Sequence, residues 1–454
     1  MILPAFVSLW LAVPVLLVGE LMVRRVRWLN HYNIPAPVVG GFFIALLILS
    51  LNLAVGGGYG FKTTTNTQWW TWIVLIEPKW LEAPQVNVIL PLMSAFFACV
   101  GLNGSWLLLK RDSVFVALFA LLAGVLSVMQ NVVGLSLAKL LGVSPLLGLV
   151  CGSMTLTGGH GTGMGFAPLL EELGLNGAAT LTMAAATFGL VSGGLIGGPV
   201  GGYLIRRNKL ASERVVSSRE NRVVANQSEI ACANGNATTA VLPPETTTEL
   251  VADSAPRGFL AECRALIALG KPAITHLFII LLCIKIGVWI THFIQKTGLI
   301  FAVQIGAMLA GVIVRNISDL FGAKWVKTDV VDAWGAAFLG VFLAAAMMSL
   351  NLIELAGTAV SMLLILAGQV TFMAIFALTL TFWVMGRNYD AAVIAGGHCG
   401  FGLGATPNAV ANMKSLTDRF GPSPRAFLAV PIVGAFLMDL MNAVNISVFL
   451  NWVK

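Results

Sequence analysis

The pattern Leu156-Thr157-Gly158-Gly159-His160-Gly161-Thr162-Gly163 returns in the other half of the chain as Ala395-Gly396-Gly397-His398-Cys399-Gly400-Phe401-Gly402. Glycine at Gly158, Gly159, Gly161 and Gly163, and at Gly396, Gly397, Gly400, Gly402 and Gly404, leaves amides and carbonyls unobstructed. Where such a stretch opens a short helix, unpaired N–H groups and the helix dipole favour an anion. Carbonyls together with the hydroxyls of Thr157, Thr162 and Thr406 suit a hard cation such as Na⁺. His160 and His398 have no Cys, Asp or Glu at ligand spacing, which argues against a bound transition metal. The preferred role for each imidazole is to pin its loop by hydrogen bonds, ahead of ligand contact or proton coupling.

Both stretches sit inside apolar sequence, yet glycine at this density costs about 1 kcal/mol per residue in a helix interior. They are therefore expected to be non-helical re-entrant loops, at about 146–168 and 391–408. Such backbone survives at membrane depth only where protein or a water-filled cavity surrounds it, and that is where transporters bind ions and substrates. Other intramembrane polar groups join the candidates: Gln130, Asn131, Gln304 and Gln369, with Asn103 and Asn351. They either ligate Na⁺ or substrate, or bond between helices. Asp439, with Asn442 one turn later on the same face, either meets a substrate ammonium or pairs with Lys285.

These groups need a bilayer around them, and composition supplies the argument. The chain is 57% hydrophobic and only 10% charged, against about 25% charged in a soluble domain. Apolar runs near the ~20 residues that span a membrane recur, including Leu9 to Val23, Val38 to Leu53, Phe115 to Leu135 and Ala426 to Leu450. The start lacks a positive n-region and a cleavage site, so the first span reads as retained. Six scattered cysteines read as packing residues. The net charge of +7 reports orientation rather than nucleic-acid binding, because the basic residues lie between apolar runs.

In order, spans are expected at about Ile2–Val23, from Pro37, at Val86–Leu109, Val114–Leu137 and Thr180–Ile205, then at Pro272–Ile294, Leu299–Val314, Val330–Leu350, Val360–Val384 and Ala426–Trp452. The fold class is thus an all-α polytopic membrane protein of two repeats, about five spans and one re-entrant loop each: residues 1–205 and 263–454. Between them, 206–262 reads as a flexible cytoplasmic linker, too poor in large apolar residues to fold. Residues 56–85, with Trp69, Trp70, Trp72 and Trp80, are expected to lie outside on the membrane surface. An odd number of crossings in the first half inverts the second, and positive charges place both termini outside and the linker within. The five glycines Gly189, Gly193, Gly194, Gly197 and Gly198 read as a helix-packing face.

The two loops, with Ala184-Ala185-Ala186-Thr187-Phe188-Gly189-Leu190, Gly193-Gly194-Leu195-Ile196-Gly197-Gly198-Pro199 and Val430-Pro431-Ile432-Val433-Gly434-Ala435-Phe436, resemble the bacterial sodium/glutamate symporters over nearly all of both halves. The resemblance implies an inner-membrane secondary transporter, a homodimer that moves a transport unit against a fixed scaffold and couples Na⁺ entry to L-glutamate uptake. No organic cofactor is implied. A Na⁺/H⁺ exchanger or another organic-anion carrier is the nearest alternative; an exchanger should show paired midplane acids, where only Asp439 offers itself. An intramembrane enzyme built on His160, His398 and Asp439 lacks a nucleophile.

Overall fold

The computed structural model describes residues 2–26, 29, 35–55, 59–76, 86–105, 113–212, 259–322, 325–350 and 352–453. The core of the expected linker, with Trp80 and Asn351, lies outside them. The described residues form a helical bundle, and among them eight helices are long and apolar enough to cross a membrane. In the first half these are α1 (Ala5–Arg25), α2 (Ala36–Val55), α5 (Ser113–Leu140) and α8 (Ala178–Arg207). Between α2 and α5 lie α3 (Gln68–Val74) and α4 (Leu90–Leu102), and between α5 and α8 a broken pair, α6 (Pro145–Leu149) with a wide π turn at Val150–Met154, then α7 (Gly159–Glu172).

The second half opens with α9 (Phe259–Leu269) and continues with α10 (Lys271–Gln295), α11 (Val303–Leu320), α12 (Thr328–Met348) and α13 (Leu352–Phe376, extended through a π turn at Ala377–Thr381 to Val384). A second broken pair follows, α14 (Tyr389–Gly402) and α15 (Thr406–Phe420), then α16, whose segments Pro424–Ile432 and Met438–Val453 flank a π turn at Val433–Leu437. Pro431 sits just ahead of that turn, where its missing N–H loosens the ladder.

The packing crosses between the halves. Helix α1 lies on α2 and α10 on α11, while α4 lies along α11 and α12 along α2. Small residues set these crossings: a side chain on Gly311 would fall 2.6 Å from the Ala98 carbonyl, and one on Gly41 would reach 3.0 Å from that of Ala344. A second body forms from α5, the two broken pairs, α8, α13 and α16. Exposed Leu, Phe and Trp, such as Trp10, Leu47, Phe278 and Leu364, cover the outside of the bundle, the reverse of a soluble surface.

Two expectations need correction, and the Trp-rich segment gains tethers. The span expected over 86–109 is the 13-residue α4, about 20 Å long and too short for a ~30 Å core. Its start is shifted inward because Val86–Asn87 pairs with Thr64–Thr65, and it ends at Asn103, whose Nδ2 donates to Asp332 Oδ1 at 2.6 Å. The Trp-rich segment is tied to the bundle: Gly60–Phe61 pairs with Ile2–Leu3, and the Trp70 indole donates to the Val88 carbonyl at 2.9 Å. Finally, the second glycine motif is helical throughout and the first is helical from Gly159 on, after a turn at Leu156, Thr157 and Gly158.

Candidate functional site

In the first broken pair the chain leaves helical geometry at Gly152 (φ −96°, ψ −147°), and α7 starts at Gly159, so Gly159, itself at positive φ, and then His160, Gly161 and Gly163 open it. In the second, Gly396, Gly397, His398, Gly400 and Gly402 close α14, and the break is Leu403–Ala405. The two Gly-Gly-His motifs therefore fall on opposite sides of their breaks. Packing here outweighs the intrinsic cost of glycine in a helix. A Cβ on Gly396 would lie 2.9 Å from the Gly197 carbonyl, and one on Gly400 would lie 2.8 Å from the Ala409 nitrogen. Glycine is what lets α8 and α15 close on α14. Of the packing face on α8, Gly189, Gly193 and Gly197 meet α14 or the break after it, while Gly198 has open space.

The breaks meet. Gly159 adopts φ +66°, a conformation that glycine takes without strain, and a Cβ there would stand 3.1 Å from the Gly404 carbonyl oxygen. Beside this contact, Thr157 Oγ1 donates to Gln130 Oε1 at 2.6 Å, and Gln130 Nε2 donates to the Gly402 carbonyl at 2.6 Å. Gln369 Nε2 donates to the main-chain carbonyl of Gln130 at 2.6 Å. One fully buried glutamine on α5 thus bonds both broken pairs, and a second on α13 supports it.

The first break hangs on two asparagines. Asn131 Oδ1 accepts from the Ser153 N–H and Oγ, each at 3.0 Å, and Asn442 Nδ2 donates to the Ser153 carbonyl at 2.9 Å. Asn445 reaches Ser127 and Ser153 from the next turn of α16. Asp439 is half-buried and makes no hydrogen bond or ion pair among the described residues. Of its two expected roles, the pairing with Lys285 does not form. The Lys285 ammonium instead donates to the carbonyls of Trp72 and Leu75 at 2.6 and 2.9 Å and sits 4.2 Å from the centre of the Trp72 ring, because the last carbonyls of α3 are a ready cation site.

The histidines are pinned apart from this centre. His160 Nε2 shares a hydrogen bond with Thr187 Oγ1 at 3.0 Å. His398 Nδ1 shares one with Thr381 Oγ1 at 2.9 Å, and Phe119, Phe376 and Phe401 surround its ring, the nearest centroid at 5.0 Å. Gln304 bonds the Gly165 carbonyl farther along α7 rather than the breaks, and Asn103 lies at the far end of α4. Gly161 faces Phe96 and Leu339, Gly163 faces Thr155 and Thr182, Thr162 packs on Gly158, Gly397 on Met413, and Thr406 against Gly434.

Sequence reasoning missed Ser153, Thr187, Thr381, Asn408 and Asn412. The last two, whose Nδ2 groups donate to the carbonyls of Leu190 and Gly193, were findable as an i, i+4 polar pair after Thr406-Pro407. A cavity of about 490 Å³ lies between the turn joining α7 to α8, with Glu171, Asn176 and Thr180, and Ser8, Asn87 and Ser349 opposite.

Membrane-length helices enclosing two broken pairs, whose interrupted backbone meets around buried amides, define a polytopic membrane carrier. A family model described as sodium/glutamate symporter matches residues 1–75, 81–251 and 243–422. The sodium/glutamate symporter of Escherichia coli (strain K12) is 39% identical over 439 residues, covering 96% of this chain and 94% of that protein. The sodium/glutamate symporter of Shigella flexneri matches to the same extent. That of Haemophilus influenzae is 38% identical over 442 residues, 97% of this chain and 96% of its own. This chain belongs to the sodium/glutamate symporter family. No solved structure matches it.

Proposed function

We propose that the protein takes up L-glutamate with Na⁺ by alternating access, as an inner-membrane homodimer whose hairpin body moves against the remaining helices in an elevator-like stroke. Na⁺-coupled glutamate symport is what the family's name denotes. The observation that carries the reading is the Thr157–Gln130–Gly402 chain of hydrogen bonds, which joins the two broken pairs beside the Gly159–Gly404 contact. Interrupted helices of this kind offer N–H groups to a carboxylate and carbonyls to Na⁺. The glycines, Thr157, Thr162 and Thr406, with Gln130, Asn131, Gln369, Asp439 and Asn442, are the residues assigned to it. His160, His398 and Gln304 act by holding the hairpins.

Residues 1–205 and 263–454 are read as inverted repeats, with 206–262 as a cytoplasmic linker and both termini outside. The crossed packing of α1, α2 and α4 with α12, and of α10, α11 and α12 with α4, favours this. So do Gln130 and Gln369, equally far from the first residues of α5 and α13. On this reading the broken pairs are re-entrant hairpins from opposite faces, and the cavity beside Thr180 is the approach from outside. The test is uptake of radiolabelled glutamate into proteoliposomes. An inward Na⁺ gradient should drive accumulation; a response only to a proton gradient overturns the sodium assignment.

A further inference from the structure

Two amide oxygens near the first break have no hydrogen-bond partner although both are buried: Asn442 Oδ1 and Gln369 Oε1. Neither is satisfied by turning its amide over, because each nitrogen is already committed. Asn442 Nδ2 bonds the Ser153 carbonyl, and Gln369 Nε2 bonds that of Gln130. A buried polar atom left in this state is destabilising, so two such oxygens call for something that supplies a donor or a positive charge. Both helices that carry them pack on the same π turn, Val150–Met154, as does α5 with Gln130 and Asn131.

Three further features select a cation. The π turn ends the α6 segment, and the C-terminal end of a helix carries partial negative charge. Asp439 stands one turn before Asn442 on the same face of α16, and its carboxylate has no partner among the described residues. Among the described residues no basic side chain bonds this cluster, and Lys285 is held by α3. The spare Asn131 Nδ2, also buried and unpaired, needs an acceptor, which a water in the ion's shell provides.

We propose that a Na⁺ ion binds beside the Ser153 break, taking the side-chain oxygens of Asn442 and Gln369 as ligands, with Asp439 supplying the compensating charge. Hard alkali cations take neutral carbonyl oxygens and carboxylates, and broken transporter helices coordinate Na⁺ through them. The site thereby couples α13 and α16 to the first hairpin, so that loading the ion orders the break that supports Gln130 and Thr157. This assignment rests on the Na⁺-coupled reading above and narrows it to one of the hairpins.

The test is thermal unfolding of the purified full chain in lipid nanodiscs, titrated with NaCl against KCl at constant ionic strength and without glutamate. Wild type should gain Na⁺-specific stability. Asn442→Leu and Gln369→Leu should each raise the half-saturating Na⁺ concentration about tenfold or more, and Asn442→Asp, which keeps an oxygen there, should retain Na⁺-specific stabilisation. Wild-type stabilisation by Na⁺ with unchanged half-saturation in both leucine variants means that only water fills the cluster, which overturns the site while leaving symport standing. No Na⁺-specific response in the wild type overturns the sodium reading and the site together. Should the leucine variants fail to fold, Asn442→Asp and Gln369→Glu decide: loss of the Na⁺ response in both, with folding intact, overturns the assignment.

Discussion

Gln304 on α11 and Gly165 on α7 are joined by a 2.5 Å hydrogen bond from Nε2 to the main-chain carbonyl, and a Cβ on Gly165 would lie 3.2 Å from Phe97 and 3.4 Å from that Nε2. This bond ties the hairpin body to the crossed helices; the reciprocal pairing of Asn451 with the main chain of Ile300 is a second such tie. If the hairpins travel, the Gln304 bond has to break in each cycle. Gln304→Leu removes a bond worth about 1 kcal/mol net and should shift the resting distribution toward the other state by several-fold. Accessibility of single cysteines placed around the cavity at Thr180 and Ser349 measures that shift. Unchanged labelling would show that the bond does not restrain the hairpin body.

Gly159→Val should abolish glutamate uptake while leaving membrane insertion intact. At φ +66° a β-branched residue is strained by about 1–3 kcal/mol, and its Cβ would press on the Gly404 carbonyl at 3.1 Å. Gly397→Val should also abolish uptake, by a different route, because the clash there is with the flexible Met413 side chain. A Met413→Ala change should partly restore Gly397→Val and leave Gly159→Val inactive. Uptake in vesicles, with protein content measured by blotting, tests both.

Thr157 and Gln130 link the two broken pairs, Thr157 Oγ1 also reaching the Gly402 carbonyl directly at 3.4 Å, so they should respond in a graded manner. Thr157→Ser keeps the hydroxyl and should retain most uptake. Thr157→Val leaves Gln130 Oε1 without its 2.6 Å donor, an unsatisfied buried acceptor costing about 1–3 kcal/mol, and should lower uptake by tenfold or more, a factor of ten being about 1.4 kcal/mol. Gln130→Leu also takes from the Gly402 carbonyl its 2.6 Å donor, leaving it the longer 3.4 Å bond from Thr157, and should be the most damaging. Equal activity of the Val and Ser variants would remove the hydroxyl from the site.

The spans were legible because an apolar run of ~20 residues matches the thickness of a bilayer and has little use outside one: α1, α5, α8, α10 and α12 lie within a few residues of expectation. The broken pairs fall where the glycine motifs are, but their conformation differs from expectation. Local propensity counts the cost of glycine at Gly396 and Gly400, whereas the gain comes from Ala409 on the next helix and from Gly197, remote in sequence, neither visible to helix propensity. Matching the two histidines also hid a register difference, since His160 follows its break and His398 precedes its own. Gln130, Gln369 and Asn442 were identifiable because polar groups are rare in spans. Ser153 and Thr381 were not, because a lone hydroxyl inside an apolar helix satisfies itself on the preceding turn and carries no signal.

Lys285 gives a prediction about stability rather than transport chemistry. Its ammonium is held by two carbonyls at the end of α3 and by the face of Trp72, so it staples the Trp-rich segment to α10 from within the bundle. Lys285→Met keeps the apolar stem and removes the charge, leaving the carbonyls of Trp72 and Leu75 without their donor at a cost of about 1–3 kcal/mol. The expected outcome is a lower unfolding temperature and a red shift of tryptophan emission as Trp72 loses its cation, with the Na⁺ dependence of uptake unchanged because no hairpin residue is touched. Lys285→Arg should be intermediate, since the guanidinium also stacks on indole but is too broad to cap two carbonyls from the same position. Were Lys285→Met to alter the half-saturating Na⁺ concentration, the lysine would be acting on the ion site through Asp439, and its assignment to the α3 carbonyls would be insufficient.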